Sequence, residues 1–174
     1  MKILGIIRRQ FKNMDKETFL ILYKGFVRPH MEYAIQAWSP HFIKDIDCLE
    51  KVQRRATSLI KGFKKYSYED RLLMLGLTIL EKRRLRGDLI ETYKILSGKE
   101  RVNSEDFFHF SQTGYNLRSH RYTLATNRCH LELRRNFFSQ PVVKPWNKLP
   151  SHVVTAPSTY AFKNRFDSLQ SEAL

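Results

Sequence analysis

Apolar residues recur at helical spacing between residues 45 and 64, and this pattern constrains the fold of the chain more than any other feature. The recurring residues are Leu49, Val52, Ala56, Leu59, Ile60 and Phe63. At about 100° per residue their side chains share one face, which predicts an amphipathic helix. Asp45 or a neighbouring residue is expected to cap its start, and Gly62 is expected to end it.

The opposite face of this predicted helix is basic. Five cationic side chains fall on it: Lys51, Arg54, Arg55, Lys61 and Lys65. Asp47 is the one carboxylate that accompanies them. A charged face is often merely solvated, but a face of one sign favours phosphate binding, because each contact releases counterions from the polyanion. We therefore predict that each of the five contacts a phosphate group.

Further helices are predicted on both sides of this element. Asp15 is a candidate N-cap, and Phe19, Leu22, Tyr23 and Phe26 follow at helical spacing. Pro29 is expected to end or kink that helix, which resumes towards Trp38. Two more helices are predicted, one over Tyr68 to Leu75 that Gly76 ends and one from about Thr78 to a stop at Gly98.

The composition changes after residue 98. Residues 99–115 are polar around Phe107 and Phe108, which is typical of a connector. Apolar alternation in Leu117 to Thr126 and in Cys129 to Leu133 predicts two short paired strands. Helices are predicted over Phe137 to Trp146 and after Pro157. The predicted fold is therefore mainly α: a helical bundle over residues 1–98, a connector over 99–115, and a small mixed α/β part over 116–174 with a β-hairpin and a final helix.

The charge of the chain limits its partners. Its formal net charge is +14, and the first 100 residues hold 21 basic and 12 acidic groups against 10 and 5 in the remainder. The positive charge therefore belongs to the folded body, where a nucleic acid or an anionic membrane would offset it. Apolar runs are short and broken by Lys and Arg, so no membrane span is expected. Cys48 and Cys129 have no paired spacing, which favours a reducing compartment, nuclear or cytoplasmic.

No catalytic centre is predicted. The acidic pairs Asp45 with Asp47, Glu69 with Asp70, and Glu105 with Asp106 lie at expected helix starts or in the connector. Carboxylates there stabilise helix dipoles more often than they hold two metal ions. Histidines and cysteines lack zinc spacing. We expect no catalytic residue, no metal, no cofactor and no small-molecule substrate.

Two other basic groups are candidate phosphate contacts. Arg83 and Arg84 lie in a cluster of four cations over residues 82–86. The cluster is also compatible with a nuclear localisation signal, or with ion pairing to Glu81 and Asp88. Arg118 and Arg121 lie among further arginines and two tyrosines, a mixture that can clamp phosphates and stack bases. The same mixture also occurs where charge protects an edge strand, and the sequence does not separate these alternatives.

Several stretches resemble the reverse transcriptases of jockey-like LINE (non-LTR) retrotransposons. The matching stretches are Tyr23-Lys24-Gly25-Phe26-Val27-Arg28-Pro29-His30-Met31-Glu32-Tyr33, Trp38-Ser39-Pro40, Leu49-Glu50-Lys51-Val52-Gln53-Arg54-Arg55-Ala56-Thr57, Tyr68-Glu69-Asp70-Arg71-Leu72, Leu85-Arg86-Gly87-Asp88-Leu89-Ile90, Asn136-Phe137-Phe138, Trp146-Asn147-Lys148-Leu149-Pro150 and Phe162-Lys163. They span nearly the whole chain in the order found in the family.

The resemblance implies the thumb and the C-terminal extension of such an enzyme. In that family the thumb is a helical bundle that grips the template–primer duplex through its backbone. The palm with its metal-binding aspartates, and the endonuclease, lie upstream of the matching region. The chain is therefore expected to be an open reading frame left by a copy truncated at its 5′ end, with a polymerase as ancestor and no polymerase activity of its own.

We therefore predict non-catalytic, sequence-independent binding to a nucleic-acid duplex, an RNA–DNA hybrid or DNA, through phosphates. Two alternatives stay open. In the first, the chain is a protein-interaction module whose apolar faces bind another chain. In the second, it is a relic without a selected role. Catalysis would require a polymerase palm supplied by another chain.

Overall fold

The computed structural model describes residues 2–38, 40–111 and 120–172, and it is mainly helical in these segments. The α-helices are α1 Lys2–Gln10, α2 Lys16–Leu22, α3 Arg28–Glu32, α4 Ile35–Trp38, α5 Ile43–Thr57, α6 Tyr68–Leu75, α7 Leu80–Leu96, α8 Glu132–Arg135, α9 Val143–Asn147, α10 Ser151–Val154 and α11 Thr159–Glu172. A π-helix spans Tyr23–Val27, and 3₁₀ turns span Phe63–Lys65 and Ser104–Asp106. The prediction of a mainly α fold is confirmed.

Local capping explains where several helices begin and end. The Asp15 carboxylate accepts a hydrogen bond from the backbone N–H of Thr18 at 2.7 Å, as its predicted role as the N-cap of α2 requires. This bond lowers the pKa of Asp15. Ser67 caps α6 in the same way, and Gly76 ends it at φ +59°. The left-handed backbone conformation at that position favours glycine, which is why Gly76 is a reliable stop signal.

The chain forms two compact units, residues 1–84 and residues 85–174. The division falls inside α7, whereas the predicted bundle extends to residue 98. The N-terminal unit has an apolar core built from α1, α2, the π-helix and α5 to α7. Its most buried members include Met14, Phe19, Tyr23, Val27 and Ala56.

The C-terminal unit packs its core around Trp146 and Phe162. The two rings are stacked with centroids 6.1 Å apart, and Tyr93 stacks on Phe162 at 4.6 Å. The Tyr93 hydroxyl donates to the backbone oxygen of Ala156 at 2.6 Å. The predicted final helix is confirmed as α11, and the Ser158 hydroxyl accepts from the N–H of Ala161 at 3.1 Å.

The predicted β-hairpin is not seen in the described residues. The structure has an isolated antiparallel bridge between Phe110 and Leu124, and the second predicted strand is partly the short helix α8. The reason is that a side chain takes the place of a neighbouring strand. Asn147 accepts from the N–H of Leu124 at 2.9 Å and donates to its oxygen at 2.8 Å. Residues 117–119 of the first predicted strand lie outside the described residues.

The helix predicted over Phe137 to Trp146 is shorter in the structure. Only Val143–Asn147 is helical as α9, and turns precede it. Pro141 and Pro145 account for this, because proline offers no backbone donor for a continuous helix.

Candidate nucleic-acid interface

The first half of the predicted interface is the outer face of α5. Lys51, Arg54 and Arg55 are all exposed there. At 100° per residue they lie within about a quarter of the helix circumference. The buried face of the same helix holds Gln53, Ala56 and Thr57. The helical periodicity in the sequence therefore separates cations from core, as predicted.

The second half lies beyond the helix and not on it, which corrects the prediction of one continuous helical face. Helix α5 ends at Thr57, and Lys61 and Lys65 belong to the turn and the 3₁₀ segment that follow. The hydroxyls of Thr57 and Ser58 donate to the oxygens of Arg54 and Arg55 at 3.1 and 2.8 Å. Such bonds compete with helical ones at a helix end.

Lys61 and Lys65 are nevertheless exposed. We call Lys51, Arg54, Arg55, Lys61 and Lys65 together the basic surface.

The structure adds two cations that the sequence patterns did not single out. Lys64 is exposed in the same 3₁₀ segment as Lys65. Lys16, at the start of α2, places its ammonium 5.6 Å from the centroid of the Phe63 ring. A hydrogen bond from the N–H of Lys61 to the oxygen of Met14 at 3.1 Å joins the two segments that carry Lys16 and Phe63. The proximity of Lys16 to Phe63 depends on this long-range contact, so no local sequence signal predicts it.

The basic surface is not neutralised by ion pairing. Within the described segments, no carboxylate oxygen lies within 4.0 Å of the charged nitrogens of its five members. Asp47, one turn before Lys51, makes no ion pair with any described residue either. Two members contact aromatic rings instead: the Arg54 guanidinium lies 4.6 Å from the centroid of Tyr68, and the Lys65 ammonium lies 5.0 Å from that of Tyr66.

Glu50 also lies in α5, but its carboxylate forms hydrogen bonds within the fold. It accepts from the Tyr68 hydroxyl and, through its other oxygen, from the N–H of Leu80 at 3.0 Å. The acidic neighbour of Lys51 is therefore engaged in holding α5, α6 and the start of α7 together.

A buried glutamine completes this internal network. Gln53 has no exposed surface, and its side-chain oxygen accepts from the Tyr23 hydroxyl. Its amide nitrogen donates to the Tyr68 hydroxyl at 2.9 Å and to the oxygen of Thr78 at 3.0 Å. Burial raises the pKa of Tyr23, and burial together with the hydrogen bond to Glu50 raises the pKa of Tyr68. Both hydroxyls are therefore protonated donors at neutral pH.

Arg83 and Arg84 do not join the exposed cations. Arg83 forms a two-pronged ion pair with Glu32, with distances of 2.5 and 3.0 Å. Arg84 is 6% exposed. A charge that is already paired, or withdrawn from solvent, gains little from a phosphate. We leave both out of the candidate interface.

The third predicted group is only partly described. Arg118 lies outside the described residues. Arg121 is exposed, its guanidinium lies 4.8 Å from the centroid of the Tyr122 ring, and it donates to the Tyr122 hydroxyl at 2.7 Å. Arg121 therefore remains a candidate contact in the C-terminal unit and is not a member of the basic surface.

The acidic pairs have local structural roles. Asp45 lies in the first turn of α5, and Glu69 and Asp70 lie in the first turn of α6. Glu105 and Asp106 lie in a 3₁₀ turn capped by Asn103. Among the residues that the structure describes, no three metal-ligating side chains form a cluster.

Comparison with known proteins finds no protein-family model, no curated protein and no solved structure that matches this chain. In the described part of the chain, no helix combines the length and the apolar character needed to cross a membrane.

Proposed function

We propose that this chain binds the phosphate backbone of a nucleic-acid duplex through the basic surface, with an RNA–DNA hybrid as the first candidate and DNA as the second. It does so as a non-catalytic binding module. Affinity comes from charge, and sequence preference is low because phosphate contacts carry no base information.

One observation carries the proposal: five exposed cations without a carboxylate partner among the described residues. Clustered like charges repel one another, and an anionic polymer relieves that repulsion while releasing its counterions. The ring contacts of Arg54 and Lys65 add orientation, because they hold part of each long side chain in place before binding.

The resemblance to the thumb of jockey-like LINE retrotransposon reverse transcriptases supports the same proposal. The family-like stretch from Leu49 to Thr57 includes Lys51, Arg54 and Arg55, the three cations on the outer face of α5. On this reading a polymerase is the ancestor of the chain, and polymerisation would need a palm supplied by another chain.

A salt series on labelled duplexes tests the proposal. Fluorescence anisotropy measures the association constant of the intact protein for RNA–DNA hybrid, DNA duplex and single strands at several salt concentrations. Five phosphate contacts predict a slope of log K against log salt of roughly −4 to −5 for a duplex. Replacing Lys51, Arg54 and Arg55 by Gln should flatten that slope by about 2 to 3 units.

A matched variant controls for the loss of net charge. Lys82, Arg101 and Lys148 are exposed cations, and in the described residues none of them forms an ion pair. Replacing these three by Gln removes the same charge from elsewhere in the chain. We expect a clearly smaller change in slope. Equal flattening by both triple variants would show non-specific attraction to the net charge and would reject the basic surface as the site.

Exposed apolar side chains favour the protein-interaction module as the second candidate function. Ile21 is 71% exposed, Phe26 58% and Tyr33 80%, all in the stretch from α2 to the start of α4. Exposed apolar surface of this kind marks protein contacts when it is continuous. Sedimentation of the protein alone distinguishes the candidates: self-association that Ile21→Lys and Phe26→Lys abolish, together with a flat salt slope on duplexes, would favour interaction over nucleic-acid binding.

A further inference from the structure

A second basic site lies in the C-terminal unit, away from the residues of the basic surface in the sequence. A pocket of about 480 Å³ is lined by Arg128, His130, Arg135 and Lys144, with Asn127 and Gln140 among its polar neighbours. Arg128 and His130 follow the segment held by Asn147, Arg135 ends α8, and Lys144 lies in α9. Three separate parts of the unit therefore contribute basic residues to the lining of one pocket.

The charge of this pocket is uncompensated in the described residues. No Asp or Glu is among the described residues that line it. No described carboxylate lies within 4.0 Å of the charged nitrogens of Arg128, Arg135 or Lys144. Three cations that share a concave wall raise the local positive potential more than three cations on a flat surface do.

One of the arginines is held in position by the protein. The Nη2 of Arg135 donates to the backbone oxygen of Cys129 at 3.4 Å. A guanidinium has five N–H donors in a fixed plane, so this bond leaves donors for a ligand.

The charge of the pocket defines the ligand, and its volume of about 480 Å³ lies within the range of small-molecule sites. Three permanent positive charges match a multiply charged anion. The described lining includes no Phe, Tyr or Trp on which a base would stack.

We propose that this pocket binds a diphosphate group, whether as free inorganic pyrophosphate or as the diphosphate of a nucleotide. Arg128 and Arg135 contact its terminal oxygens, Lys144 adds a third charge, and Asn127 and Gln140 offer neutral hydrogen bonds. This site is independent of duplex binding by the basic surface.

Calorimetric titration of the intact protein with inorganic pyrophosphate, and separately with ADP, tests the assignment. Both arms are run in chloride with and without excess sulfate. Arg135→Gln and Lys144→Gln should each weaken pyrophosphate binding about tenfold or more, because each removes charge-assisted hydrogen bonds. Lys144 makes no hydrogen bond that the fold requires in the described structure, so its variant remains informative if Arg135→Gln perturbs α8.

Two variants serve as controls. Arg134→Gln removes an exposed charge next to Arg135 that is not part of the pocket lining. The triple variant at Lys51, Arg54 and Arg55 removes charge from the basic surface. Both should bind pyrophosphate as the unaltered protein does, so this test can fail or succeed whatever the duplex experiment shows.

Equal affinity for pyrophosphate and ADP would identify a nucleotide-borne diphosphate as an accepted source, and binding of pyrophosphate alone would restrict the site to the free ion. Absence of binding in both arms would overturn the proposal. So would complete displacement by sulfate at matched ionic strength, or equal weakening by Arg134→Gln and Arg135→Gln.

Discussion

The buried network around Gln53 offers the sharpest test of how the N-terminal unit is held together. Gln53→Met keeps the length and the approximate volume of the side chain but removes every hydrogen bond that it makes. The Tyr23 hydroxyl, on a residue 1% exposed, then loses its acceptor. Tyr68 still donates to Glu50, and Thr78 is an exposed residue whose oxygen can accept from water.

These contacts set the size of the effect. An unsatisfied buried hydroxyl costs about 1–3 kcal/mol, and the hydrogen bonds from the Gln53 amide to Tyr68 and Thr78 contribute about 0.5–1 kcal/mol net each. The third bond of this amide, to Glu50 at 3.4 Å, is long and adds little. We therefore expect Gln53→Met to lower the free energy of unfolding of this unit by about 2–5 kcal/mol. Much of that cost belongs to Tyr23 and not to Gln53 itself.

Removing the stranded hydroxyl should recover part of the loss. Tyr23→Phe alone is expected to destabilise the unit, since it leaves the Gln53 oxygen without its donor. In the Gln53→Met background the same substitution should be neutral or stabilising. The double-mutant cycle should therefore give a coupling energy of about 1–2 kcal/mol.

Hydrogen exchange followed by mass spectrometry measures the effect where it arises. Amides of α5 should exchange about 30-fold to several-thousand-fold faster in Gln53→Met, since about 1.4 kcal/mol corresponds to a factor of ten. Amides of α11 serve as the internal reference. Additive effects of the two substitutions, with a coupling energy below about 0.3 kcal/mol, would refute the network as the source of stability.

Two further predictions concern other hydrogen-bonded groups. Asn147→Ala should destabilise the C-terminal unit by about 2–4 kcal/mol, because it leaves both backbone groups of the buried Leu124 without a partner. Urea denaturation followed by Trp146 fluorescence measures the loss. Asn147→Asp keeps only the acceptor, so its stability should lie between those of the unaltered protein and Asn147→Ala. Burial and the hydrogen bond to Glu50 raise the pKa of Tyr68, so its contribution to stability is complete below the ordinary pKa of about 10 and is lost as the pH rises towards the raised value. Urea denaturation at pH values on both sides of about 10 should show that loss, and Tyr68→Phe should flatten it.

The part of the fold that could be predicted from the sequence depends on local signals. Asp15 as an N-cap, Gly76 as a stop and the spacing of apolar residues in α5 and α6 are all read within a few neighbouring residues. The outward position of Lys51, Arg54 and Arg55 follows from the same helical period. The end of α5 had a local signal too, in the two consecutive hydroxyl residues Thr57 and Ser58.

Other differences from the predictions have another origin, because each involves a partner far along the chain. Apolar alternation predicted a hairpin, but Asn147, 23 residues after Leu124, supplies its hydrogen bonds. Arg83 was a candidate phosphate contact until Glu32, 51 residues earlier, proved to be its partner. The contact of Lys16 with Phe63 is equally remote. No periodicity in one segment carries information of this kind.

Residues 50–55 of helix α5 separate the contacts that stabilise the fold from the proposed phosphate contacts, which makes the two accessible to different substitutions. Glu50 and Gln53 point into the network, whereas Lys51 and Arg55 make no hydrogen bond or ion pair through their side chains in the described structure. Arg54 is the exception, because its guanidinium lies against Tyr68, a member of the network. Arg54→Lys keeps the charge but loses the planar stacking group. A change in duplex affinity that Arg54→Gln causes and Arg54→Lys does not is therefore due to charge, and only that part would support the proposed phosphate contact.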